Sequence, residues 1–173
     1  QNFFASQRET PRSDGGRSLL MRGNGKGDFV SISGQNSGLI IYGEQRGSAV
    51  ADYNHDGRPD LVVTQNGSFT RLYRNALARP GLRVKVNAGP ANPTGVGAIV
   101  RLKFSEGKMG PARLITAGSG YWSQDSAVQV LATPAPPTHV ETSWPNGETT
   151  STAIPQGAKE IAIGRDGKLI PAK

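Results

Sequence analysis

Residues 50–63, "VADYNHDGRPDLVV", place three aspartates and an asparagine within nine positions, between two apolar runs. Counted from Asp52, side-chain oxygens stand at positions 1, 3, 5 and 9, which are Asp52, Asn54, Asp56 and Asp60. Arg58, at position 7, can add its backbone carbonyl, and Gly57, at position 6, permits the sharp turn that would wrap these donors round one centre. Calcium takes about six to eight oxygens at flexible angles, so alternate positions of a tight loop suit it. Without a cation, each pair of carboxylates held at about 4 Å would cost up to about 4 kcal/mol at an effective dielectric of about 20. A divalent ion reverses the sign of that interaction. The spacing therefore predicts a calcium loop formed by Asp52, Asn54, Asp56, Arg58 and Asp60.

Other readings of the loop compete with this one. An EF-hand needs a bidentate glutamate at position 12 and flanking helices; that position is Val63, inside a β-type run. Magnesium prefers one or two carboxylates and retained waters, and fits less well. An aspartate-rich turn can also exist without an ion, its acids capping backbone amides. His55, at position 4, is expected to point outward.

A calcium ion here would be structural rather than catalytic, because the loop supplies most of a coordination shell and no partner base is evident. The other histidine, His139, lies on the expected outer face of a strand, and nothing nearby makes a Ser-His-Asp set. Gly95-x-Gly97 lacks the third glycine and the following helix of a dinucleotide fingerprint. "GNGKGD" lacks phosphate-loop spacing and reads as a hairpin turn. Tyr121 and Trp122 could stack on a sugar, but core packing is the preferred expectation. No catalytic residue and no organic cofactor are expected.

The elements that must position this loop are strands. The 173 residues hold 23 glycines and 12 prolines at 35% hydrophobic content, a mix poor in helix formers and rich in turn formers. There are no cysteines, which excludes disulfides and thiolate metal sites. No apolar run approaches the roughly 18 residues that span a bilayer. The net charge of +7 comes from 13 arginines and 7 lysines that are scattered without runs. Many alternate along strands, as Arg83 with Lys85 and Arg101 with Lys103, which predicts the solvated face of a sheet and no nucleic-acid partner.

"SLLMRGNGKGDFVSI" reads as strand, turn, strand, with Gly23, Gly25 and Gly27 expected to supply positive φ. Four or five short strands are expected over residues 18–75. "ALARPGL" then interrupts the pattern. A second strand series follows, in "LRVKVNA", "GAIVRLKF", "ARLITAG", "AVQVLA", "THVETSW" and "KEIAIG". Val100, Leu102 and Phe104 are expected on one face of their strand, and Val140, Thr142 and Trp144 on one face of theirs. Asp166-Gly167 signals a last hairpin. No helix is expected.

"GSAVADYNHDGRPDLVVTQNGSFTRLYRN" resembles the VCBS/FG-GAP type of β-propeller repeat, which is also found in integrin α-subunits. Downstream, "NPTGVGAIVRL", "GSGYWSQDS", "VETSWPNGE" and "IPQGAKEIAIG" resemble the ASPIC/UnbV domain. That domain follows such repeats in bacterial secreted proteins and in cartilage acidic protein. The resemblance implies an all-β chain: partial propeller blades with a calcium loop, then a small β-sandwich or barrel-like domain. It divides the chain into a repeat region (1–76), a linker (77–81), an ASPIC/UnbV-like domain (82–165) and a tail (166–173).

Calcium binding at the loop, an extracytoplasmic location and a non-enzymatic role in recognition, adhesion or assembly are implied as well. A propeller needs about four to eight blades to close, and this chain carries little more than one. It is expected to be the C-terminal piece of a longer protein, or to have its strand edges covered by a protein partner or a second copy. A carbohydrate-binding module and an accessory subunit of a biosynthetic complex are the alternatives.

Overall fold

The computed structural model describes residues 2–5, 13–15 and 18–171. Two short strands, β1 (Asn2–Ala5) and β2 (Ser13–Gly15), pair antiparallel with an irregular register between Asn2 and Phe4. The irregular segment expected over residues 1–17 otherwise lies outside the described residues. β3 (Leu20–Gly23) and β4 (Phe29–Ile32) form the expected hairpin, with Leu20 opposite Ile32 and Gly23 opposite Phe29. Gly25 and Gly27 have φ of +76° and +100° and close its turn. Gly23 instead lies within β3, so the turn needs only the later two glycines.

A four-residue helix, α1 (Gly34–Ser37), departs from the expectation of no helix. The Ser33 hydroxyl oxygen accepts from the Asn36 amide at 3.3 Å, and Gly38 ends the turn with φ of +75°. These are local capping effects too short to leave a periodic pattern. β5 (Glu44–Ala51), β6 (Asp60–Asn66) and β7 (Arg71–Tyr73) then form a three-stranded sheet in that order. Residues 18–75 thus hold five strands, as the turn signals imply.

The chain divides into two compact units. One comprises residues 1–48 with 62–73; the other comprises 49–61 with 74–173. In the first, Ile41 and Val63 are the buried large apolar side chains among the described residues. Phe29 and Val30 of its hairpin are 66% and 59% exposed.

The second unit is a sandwich of two four-stranded sheets. β8 (Leu82–Asn87), β11 (Gln129–Leu131), β14 (Glu160–Gly164) and β15 (Leu169–Ile170) make one, in the order β11-β8-β14-β15. β9 (Ile99–Phe104), β10 (Arg113–Leu114), β12 (Pro137–Ser143) and β13 (Thr149–Ala153) make the other, in the order β10-β9-β12-β13. A single 3₁₀ turn, Ser105–Gly107, follows β9.

Period-two alternation explains the packing. Leu82, Val84 and Val86 of β8 enter a buried cluster with Val100 and Leu102 of β9, Val140 of β12 and Ile161 and Ile163 of β14. Arg101 and Lys103, on the other face of β9, stay partly or fully in solvent. Val140, Thr142 and Trp144 are 0%, 0% and 3% exposed, so they share one buried face as their spacing implies. Asn146 and Gly147 turn the chain from β12 into β13, and the Trp144 amide closes the turn on the Glu148 carbonyl at 2.8 Å.

β8 pairs parallel with β14, Arg83 lying opposite Glu160, whereas β8 with β11, β9 with β10 and β12, β12 with β13, and β14 with β15 are antiparallel. Residues 166–171 do not trail away, because Leu169 and Ile170 pair with Ile163 and Ala162. One glycine is dictated by packing. Gly95 has φ of +67°, and a Cβ there would lie 2.8 Å from Cγ1 of Val86.

Candidate metal centre

β5 ends at Ala51 and β6 begins at Asp60, so the acidic loop bridges two strands of one sheet. His55, with φ of 60°, and Gly57, with φ of 79°, take the left-handed conformations that reverse the chain. A Cβ on Gly57 would meet the Gly81 carbonyl oxygen and the Pro80 Cβ, each at 3.1 Å. The Gly81 amide donates to the Gly57 carbonyl at 2.8 Å, tying the residues before β8 to the loop. The His55 side chain is exposed, as expected from its position.

The carboxylates are turned toward donors of the chain itself. Asp52 Oδ1 accepts from the Asp56 amide at 2.9 Å, and Oδ2 from the Gly57 amide at 2.8 Å. Asp56 Oδ1 accepts from the Arg58 amide at 3.0 Å, and Oδ2 from Asn54 Nδ2 at 3.0 Å. Asn54 Oδ1 receives the Asp56 amide at 3.3 Å. Asp60, which is 2% exposed, takes the Asn75 amide on Oδ1 at 2.7 Å and the Tyr53 amide on Oδ2 at 3.3 Å. These are the side-chain-to-backbone bonds by which Asx residues shape turns.

Arginines supply the positive charge. Arg58 Nη1 and Arg74 Nη2 lie 3.2 and 3.7 Å from Asp56 Oδ2, and Arg58 Nε donates to the Ala78 carbonyl at 2.6 Å. Arg83 reaches the loop from β8. Its Nη1 donates to Asp52 Oδ2 and to the Asp52 carbonyl, while its Nε donates to Glu160 Oε2 at 2.6 Å. Lys85 Nζ lies 2.7 Å from the other oxygen of Glu160. The Arg83 and Asp52 side chains are 6% and 1% exposed, so this ion pair is removed from water.

The expected solvated strand face therefore fails at Arg83. Local alternation places the residue opposite Val84, but its partner Asp52 lies 31 residues earlier and leaves no local signal. Tyr121 and Trp122 are also corrected. They are 70% and 81% exposed rather than core, because a tight turn closed by the Ser119 amide on the Ser123 carbonyl at 2.9 Å lifts both rings into solvent.

This environment shifts three groups. Hydrogen bonds from Lys85 and then Arg83 hold the Glu160 carboxyl below its usual range, outweighing the effect of burial. Burial would raise the Asp56 pKa, but the hydrogen bonds from Asn54 and Arg58 bring it below the usual aspartate value. Burial would lower the Arg83 pKa, yet Glu160 and Asp52 raise it. A depressed carboxyl pKa gives stability that is present above the unfolded-state value and lost as pH falls through the folded one. Urea midpoints should accordingly hold steady from neutral pH down toward 4.5, then fall. Glu160→Gln should flatten part of that fall, and an unchanged pH profile would contradict it.

The donor types suit calcium, but in this arrangement they do not fit it. Asp52 and Asp60 are committed to backbone amides, and a guanidinium stands at Asp52, the first ligand position. Among the described residues no three Asp, Glu or His side chains gather as a site for a metal ion.

Residues 4–63 match the family model described as an FG-GAP-like repeat. That stretch includes the acidic loop and ends at Val63, within β6, so the FG-GAP part of the resemblance is supported there and the match stops short of the sandwich. A comparison with curated proteins found no match. No helix among the described residues is long and apolar enough to cross a membrane.

Proposed function

We propose that the chain is a non-enzymatic recognition or adhesion module of an extracytoplasmic protein, in which an FG-GAP-type repeat carries an ASPIC/UnbV-type sandwich. The surface of the first unit is the observation that carries this reading. Leu20, Met21, Phe29 and Val30 of the β3–β4 hairpin are 40%, 54%, 66% and 59% exposed. Leu20 and Val30 lie on one face of this two-stranded sheet and Met21 and Phe29 on the other, and apolar side chains left in water on both faces mark surfaces that association would bury. The FG-GAP-like match supports an extracellular setting, and "NPTGVGAIVRL", "GSGYWSQDS", "VETSWPNGE" and "IPQGAKEIAIG" support the identity of the sandwich.

Calcium, which the loop spacing predicts, would have to displace Arg83 from Asp52, and the recognition role does not depend on it. Sedimentation velocity over a concentration series tests the association. The parent chain is expected to self-associate and a Phe29→Glu chain to stay monomeric. A parent that remains monomeric throughout removes self-association from the proposal. The exposure of Tyr121 and Trp122 favours carbohydrate binding as a second reading, although their ring planes are inclined by 56° rather than forming one flat platform. A glycan array without a signal sensitive to Trp122→Ala would remove it.

A further inference from the structure

The acidic loop has the sequence of a divalent-ion site, yet its neutralising charge comes from the chain. We propose that the Arg83 guanidinium takes the place of a divalent ion, so that this loop folds independently of calcium. This goes beyond the recognition role and stands or falls separately from it.

Position is the first support. Arg83 Nη1 contacts both the carboxylate and, at 3.3 Å, the carbonyl of Asp52, the residue that opens the ligand series. The pair is almost fully desolvated, with side chains 6% and 1% exposed, so the attraction is screened far less than at a surface.

Charge is the second. Asp52, Asp56, Asp60 and Glu160 carry four negative charges; Arg58, Arg74, Arg83 and Lys85 carry four positive ones, and the set sums to zero. A divalent ion added to this set would leave two positive charges in surplus. Alternatively it would displace Arg83 from Asp52 and leave its guanidinium with Glu160 as the remaining one of the two acids it contacts.

Orientation is the third. Both oxygens of Asp52 and both of Asp60 already accept backbone amides, so the peptide itself shapes the turn without an ion, and Arg83 supplies the charge that the turn still needs. Removing Arg83 would unbalance the buried carboxylate of Asp52. The remaining oxygens are of the kind calcium accepts, and the loop would then acquire a need for the ion.

Thermal unfolding of the full chain in chelator and in millimolar calcium is the decisive measurement. The two midpoints are expected to agree within about 1 °C. A calcium site filled at about a hundredfold excess over its Kd would separate them by on the order of 5–10 °C, and that result overturns the proposal. Arg83→Gln should gain a calcium-dependent rise of several degrees, whereas Arg83→Lys, which keeps the charge, should stay indifferent. An Arg83→Gln chain that folds and ignores calcium also overturns it. Should that variant fold in neither buffer, the parent's two midpoints settle the matter alone.

Discussion

Replacing Arg83 by methionine is expected to cost about 3–5 kcal/mol in calcium-free buffer, read as a lower urea midpoint. Breaking a buried pair by deleting one partner leaves an uncompensated charge, which explains why the loss exceeds that of a surface ion pair. Asp52 is the charge left behind, with its side chain 1% exposed and its oxygens also held by the Asp56 and Gly57 amides. It has no route to water without dismantling the turn. A double variant, Asp52→Asn with Arg83→Gln, removes both charges while keeping an oxygen for those amides. It should recover part of the loss. A double variant no more stable than the single Arg83→Met chain would show that packing by the Arg83 stem, not charge, was the cause.

The second large effect lies in the sandwich. Trp144→Ala is expected to cost about 3–5 kcal/mol, in the range for emptying an aromatic site in a core. Trp144 is 3% exposed, and its Nε1 donates to Thr150 Oγ1 at 3.0 Å. Trp144→Phe should cost less, because the cavity is smaller, although it too forfeits the hydrogen bond, worth about 0.5–1.5 kcal/mol. Fluorescence gives an independent readout. The chain has two tryptophans, and the other, Trp122, is 81% exposed. Native Trp144→Ala should therefore emit at longer wavelength than the parent. A blue emission retained in the variant would place Trp122 away from solvent and contradict the structure.

Strands whose two faces differ were legible from sequence. β9 alternates Val100 and Leu102 with Arg101 and Lys103, and its buried and wet faces follow that order. The β3–β4 hairpin was legible from its glycines, and β12 from the spacing of Val140, Thr142 and Trp144. β13 was not, because Thr149–Ala153 is a polar run. Its Thr152 is buried by bonding the Gly167 carbonyl at 2.7 Å, a partner 15 residues away. At the loop, donor spacing identified the residues that shape the turn. It could not reveal what neutralises them, because Arg83 and Glu160 meet only through a parallel pairing across 77 residues. Alternation reports which side a residue faces, not what covers that side.

That parallel pairing also sets an order of events. β8 is flanked by β11 and β14, and the latter adds its backbone bonds only after residue 164 exists. A nascent chain halted before that point holds Leu82, Val84 and Val86 on a strand missing one neighbour. Contacts closed over so long a stretch are reached slowly, and the half-finished sheet is prone to sticking to other chains. Maturation of the sandwich is thus tied to β14, made well after β8, and the bracing of the acidic loop by β8 has to wait for it too.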